Sequence, residues 1–304
     1  MTPAPIELVA GSARVALLPA TGGAIASFTW RGRDVLRRMP AGAQHAGNVR
    51  LAACYPLVPY SNRIRDAQLR FDGVTHPLAR NFGDHPHSIH GVGWQRTWRV
   101  LDASPCAAMM VYAHTTIGDD ALAWPWPFTA MQAHDLAADD TRACLTLSLT
   151  IANTGDTRFP FGLGWHPFFP RDTSTTLRFD GRDVWLNDAT QLPVAQAAAQ
   201  GPWSFATARD PGIATIDNVF TDWRGVATLA SSQRQLITTI AADRACNRVV
   251  VYAPARRDFL AVEPVSHETD AFNRALEGAS GTGTRVLRPG EAFSCTMRID
   301  VTTR

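Results

Sequence analysis

Apolar and polar residues alternate along much of the chain with a period of two. In the clearest run Leu145, Leu147, Leu149 and Ile151 alternate with Thr146, Ser148 and Thr150, until Asn153-Thr154-Gly155 breaks the pattern. Successive strand side chains point to opposite faces, so such a run predicts a strand with one face buried and one face wet, as antiparallel sheets have. Segments of the same kind predict strands over 97–101, 108–114, 235–240, 248–252, 259–262 and 293–301. Turn chemistry separates them at Asp72-Gly73, Asp180-Gly181 and Pro289-Gly290. Helical periodicity is scarce, and the short candidates are the alanine-rich stretch 193–200 and the segment 270–276. Many short strands with few helices predict sheets packed on sheets, an all-β fold built as a large antiparallel β-sandwich. No repeat or low-complexity linker divides the 304 residues. One domain over residues 1–304 is expected, with a division near residue 190 as the alternative.

Composition narrows the chemistry. All 29 basic residues are arginine, and the 27 acids include only five glutamates, Glu7, Glu263, Glu268, Glu277 and Glu291. Without lysine there is no Schiff-base or pyridoxal enzyme and no lysine-bearing phosphate loop. A GC-rich coding sequence accounts for the arginine bias. The arginines are scattered, with no run longer than the pairs Arg37-Arg38 and Arg256-Arg257, and the net charge is +2. That pattern predicts no nucleic-acid partner. The five cysteines lack CxxC spacing, which predicts free thiols in a reducing, cytoplasmic setting. No convincing signal peptide and no membrane-length apolar run is read in the chain.

Three clusters carry candidate chemistry. From Tyr55 to Trp98 the chain crowds Asn62, Arg63, Arg65, Asn81, His85, His87 and His90 among glycines and aromatics. Planar donors and aromatic rings suit a polyhydroxylated ligand, with hydroxyls to bond and apolar faces to stack upon. His85, His87 and His90 also invite a metal reading, but no glutamate follows them before Glu263, and loop histidines with no bound metal are expected. His166 lies in a run of aromatics and prolines, where apolar surroundings lower an imidazole pKa. Glu263 follows Phe259-Leu260-Ala261-Val262, where a half-buried carboxylate at a strand end is raised toward the range of a general base.

Taken in order, TGGAIASFTWRGRDVLR, SNRIRDAQLRFDG, Asn81, IHGVGWQRTW, NTGDTRFPFGLGWHPFF, IDNVFTDW and AVEPVSHETDAFN resemble the aldose 1-epimerases, or galactose mutarotases, over nearly the whole chain. The resemblance implies a one-domain β-sandwich that interconverts the α and β anomers of a hexose such as glucose or galactose. It implies Glu263 as general base and His166 as general acid, on opposite sides of the sugar, with their pKa values pushed toward each other. Arg63 and His90 would bind the sugar, Asp217 would hold hydroxyls with Asp222 as its alternative, and Asn62 would support Arg63. Trp94, Trp165 and Phe168 are either sugar-stacking or core residues. No cofactor is implied, the partner is a monosaccharide, and the assembly is a monomer or homodimer. The sibling activity on a hexose 6-phosphate would need arginines such as Arg65, Arg80 or Arg96 for the phosphate. A non-catalytic sugar-binding protein is the reading from another class.

Overall fold

A computed structural model describes residues 3–212 and 215–304. Two large antiparallel sheets dominate it. The first runs in space through Arg99–Ala103, Ala107–His114, Phe128–Ala138, Arg142–Asn153, Ala292–Thr303, Leu236–Ala242, Val226–Ser231 and Thr176–Phe179. The second runs through Pro193–Ala198, Asp183–Asn187, Ile216–Thr221, Arg248–Ala253, Phe259–Val265, Gly164–Trp165 and Pro56–Leu57, and Phe168–Pro170 also pairs with Phe259–Val265. A four-stranded sheet from Ile6–Ala10 to Arg33–Asp34 packs on the same core.

The alternation at 145–151 sets the register. Leu145, Leu147 and Leu149 lie opposite Leu136, His134 and Gln132 on one side and Ile299, Met297 and Cys295 on the other. Leu145, Leu147, Leu149 and Ile151 are fully buried, against Val249, Val251, Leu260 and Val262 of the second sheet. Each such side chain contributes on the order of 1.5–3 kcal/mol of transfer free energy. The central strands Arg248–Ala253 and Phe259–Val265 of the second sheet are buried on both faces, one meeting this core and the other lining a cavity.

The predicted helix at 270–276 forms over Ala271–Leu276. The one at 193–200 does not: Pro193–Ala198 is an edge strand paired with Asp183–Asn187. Alanine's helix preference amounts to tenths of a kcal/mol per residue, and a ladder to a neighbouring strand overrides it. Pro193 opens that strand, where a missing N–H does least harm. The strand predicted at 259–262 continues to Val265, so Glu263 lies inside it and not at its end. It is 3% exposed, where a half-buried carboxylate was expected. No helix among the described residues is long and apolar enough to cross a membrane.

Candidate active site

Strand register places four side chains on the cavity face of the second sheet. Asp217 is opposite Tyr252, Tyr252 is opposite Ala261, and Val250 is opposite Glu263. With a period of two, Asp217, Val250, Tyr252 and Glu263 leave the same face, and all four line a cavity of about 560 Å³. That volume falls within the range of small-molecule sites. His166 enters from the break between Gly164–Trp165 and Phe168–Pro170, where its N–H donates to the Tyr55 carbonyl at 3.0 Å and the Phe168 N–H donates to Ala53 at 2.8 Å.

The remaining candidates come from two interlocked loops. The Asn62 N–H donates to His90 Nδ1 at 3.0 Å, and the His90 N–H returns a bond to the Asn62 carbonyl at 2.8 Å. Both residues hold left-handed backbone, with φ of 59° and 63°. Such strain persists where surrounding structure over-determines it. Because Nδ1 accepts, the neutral His90 ring carries its proton on Nε2. Gly91 follows at φ 69°, and a Cβ there would meet the Val58 carbonyl oxygen at 2.4 Å, so the glycine of IHG is required sterically. Asn81 clamps this turn: its side-chain amide donates to the Ile89 and Gly91 carbonyls at 2.7 and 3.0 Å and accepts from the Ile89 N–H at 2.8 Å. Arg63 donates to Asn62 Oδ1 at 2.9 Å and to Asp217 Oδ2 at 3.2 Å, which joins the loop to the sheet.

Electrostatics separates these groups from ordinary polar residues. His166 Nε2 and Glu263 Oε1 are 3.3 Å apart, side by side and not across the cavity from one another. Burial, followed by Arg37, lowers the His166 imidazole to about 3. Burial, then Asp217, raises the Glu263 carboxyl well above the usual range, with Arg63 opposing. The two values are therefore driven past each other and not merely together. Burial disfavours both ions, so a proton shared by the pair rests on the carboxyl in preference to the imidazole. His90 is held well below its ordinary value by burial, His166 and Arg63. His166 is packed by Phe168, stacked at 4.3 Å, and by Tyr55 at 4.8 Å.

The structure brings together Glu263, His166, Arg63, His90, Asp217 and Asn62 at one cavity. Asp222 lies elsewhere, paired with Arg182. Arg65 pairs with Asp270, Arg96 pairs with Asp120, and Arg80 is exposed, so none of the three lines the cavity. Trp94 and Trp165 are buried core residues, whereas Phe168 lines the cavity. His85 lines it too, while His87 is buried with Nδ1 accepting from the Asp66 N–H at 2.9 Å. No group of three metal-ligating side chains occurs among the described residues. Sequence reasoning missed Tyr55 and Arg37, which no local pattern marks. It also missed His267, whose Nε2 accepts from the Ser61 N–H at 3.1 Å and whose Nδ1 donates to the Glu268 carbonyl at 2.7 Å. With Asp270, whose N–H donates to the Arg63 carbonyl and whose carboxylate accepts from the Arg65 N–H, it grips the loop that presents Arg63.

Fold and cavity together define the class: a galactose mutarotase-like β-sandwich with a buried acid–imidazole pair. The chain belongs to the aldose 1-epimerase family, whose family model matches residues 5–300. It is 28% identical over 289 residues to YphB of Escherichia coli K12, a protein named as uncharacterised, across 92% of this chain and 93% of that one. Its fold matches the crystal structure of an Escherichia coli K12 protein provisionally named an aldose 1-epimerase, with a TM-score of 0.88, 24% identity and 99% of each chain covered. It also matches a galactose mutarotase-like protein from Clostridium acetobutylicum, with a TM-score of 0.85, 17% identity, and 99% of this chain and 95% of that one covered.

Proposed function

We propose that the protein is an aldose 1-epimerase that interconverts the α and β anomers of a hexose such as glucose or galactose, with Glu263 and His166 as its acid–base pair. The observation that carries this reading is their burial 3.3 Å apart in a cavity also lined by Arg63, His90 and Asp217. Anomerisation moves one proton off the C1 hydroxyl and one onto the ring oxygen. Both oxygens are bonded to C1, so neighbouring groups on one wall reach both. In ring opening Glu263 accepts the C1 hydroxyl proton while His166, as imidazolium, protonates the ring oxygen. This leaves a carboxylic acid beside a neutral imidazole, the form that burial favours. After the C1–C2 bond turns, Glu263 returns its proton to the aldehyde oxygen and His166 takes the proton from the ring hydroxyl as the ring closes. Each positioned group contributes roughly 10²–10⁴-fold. Arg63 presents paired donors to sugar oxygens, His90 offers Nε2–H, and Asp217 accepts from hydroxyls.

Polarimetry tests the reading. Fresh α-D-glucose or α-D-galactose should lose its excess rotation at a rate proportional to protein concentration. Spontaneous rates across a panel of aldoses would overturn it and favour the non-catalytic sugar-binding reading.

A further inference from the structure

Four arginines line the cavity, Arg37, Arg50, Arg63 and Arg257, against two carboxylates, Asp217 and Glu263. Asp217 compensates Arg63 at 3.2 Å, and burial favours the neutral acid at Glu263. Among the described residues, Arg37, Arg50 and Arg257 have no carboxylate within the 4.0 Å of an ion pair; Asp258 attracts Arg37 only from beyond it. Two of these cations are held on aromatic faces. The Arg37 guanidinium sits 4.1 Å over Phe168 and 4.5 Å over Phe259, and Arg50 sits 3.8 Å over Phe82. A guanidinium held by its face keeps donor edges for acceptors in its plane. On Arg37 one donor is used, by the Ala52 carbonyl at 3.0 Å.

All three line the same cavity, together with Tyr55, Tyr252, Phe168 and Phe259. Arg50 and Arg257 are exposed, and Arg37 is half-buried, with Phe168 stacked against both Arg37 and His166. A neutral hexose has no use for three uncompensated cations, and burying one of them is unfavourable until an anion arrives.

We propose that the preferred substrate is an aldose carrying an anionic group remote from C1, a carboxylate or a phosphate ester, held by Arg37, Arg50 and Arg257 while C1 faces Glu263 and His166. The proposal rests on the aldose 1-epimerase reading of the same cavity. Binding by calorimetry to the full chain separates the two. D-glucuronate, D-glucose 6-phosphate and D-glucose are the ligands, with inorganic phosphate as the anion lacking a sugar. At least one anionic aldose should bind about tenfold or more tightly than both glucose and inorganic phosphate, the equivalent of one good charge-assisted contact, and that advantage should shrink with added salt. The glucuronate and phosphate arms show which anion fits. In the double variant Arg50→Gln/Arg257→Gln the advantage over glucose should fall to within about threefold, and Arg50→Lys/Arg257→Lys should retain part of it. Neither anionic sugar binding more tightly than glucose, inorganic phosphate binding as tightly as the better of the two anionic sugars, or an advantage untouched in the glutamine variant would each overturn the proposal. Anomer exchange followed by NMR on the same samples reports separately on catalysis. An anion preference without exchange sinks the epimerase reading alone, and exchange without an anion preference sinks only the proposal.

Discussion

His134 and His166 are both buried, and burial lowers the first imidazole to about 4 and the second to about 3. Their surroundings differ in what faces them. His134 points from Phe128–Ala138 into the space between the sheets, with the Trp165 ring 6.2 Å away in an edge contact and fully buried Gln132 on the same strand face. His166, the residue after Trp165, points the other way, into a cavity and beside a carboxylate at 3.3 Å. One peptide unit thus separates a core ring from a candidate catalytic one. The contrast teaches that desolvation alone makes a histidine neutral, whereas a site also needs a proton partner and access for a ligand.

Three perturbations test that contrast. The largest effect belongs to the pair in the cavity. Glu263→Gln and His166→Asn should each lower kcat for aldose anomerisation by roughly 10²–10⁴ with the thermal midpoint retained, while His134→Leu keeps turnover near that of the wild type. Loss of turnover in folded His134→Leu as deep as in Glu263→Gln would erase the distinction between the two histidines.

Next in size is a packing defect beside the core histidine. Leu147 is fully buried and lies opposite His134, so Leu147→Ala should lower unfolding free energy by about 2–5 kcal/mol in a denaturant titration. A loss below about 1 kcal/mol would mean that the space between the sheets collapses readily, contrary to close packing around His134.

The smallest effect is on the pH dependence of stability. A histidine whose folded pKa is depressed stabilises fully above its ordinary value of 6.5 and loses that contribution as pH falls toward the folded value. His134, His166 and His267, the last also held at about 4 by burial, should together make the protein less stable as pH drops from 6.5 to about 4. Glu263 acts in the opposite sense, because its raised carboxyl keeps a proton that the unfolded chain releases. His134→Leu should lessen the slope of unfolding free energy against pH by about one proton, or about 1.4 kcal/mol per pH unit in that window. An unchanged slope would show that His134 titrates alike in both states.

The strands of the sandwich were legible because a half-buried strand writes its two faces into alternate residues, as at 145–151. The edge strand Pro193–Ala198 was not, since its residues are mostly exposed and carry no such alternation. Candidate site residues were legible where family motifs contain them: Asn62 and Arg63 in SNRI, His90 in IHG, His166 in GWHPFF, Asp217 in IDNVF and Glu263 in VEP. Arg37, Arg50 and Arg257 carried no local signal, because a single arginine on a loop reads alike whether it meets solvent or a cavity.

Periodicity and residue type, which are local properties, carried the all-β architecture and the exclusion of lysine chemistry, and family motifs supplied the candidates for proton transfer. Tertiary packing alone puts Glu263 inside its strand and beside His166, lets Asp217 and not Asp222 reach Arg63, and brings Arg37, Arg50 and Arg257 to one cavity with no carboxylate in ion-pair range among the described residues. Those outcomes depend on strand register and loop closure between segments more than 200 residues apart, as with Ser61 and His267, separated by 206. Register and closure are settled by packing the whole core at once, which no single stretch of chain encodes.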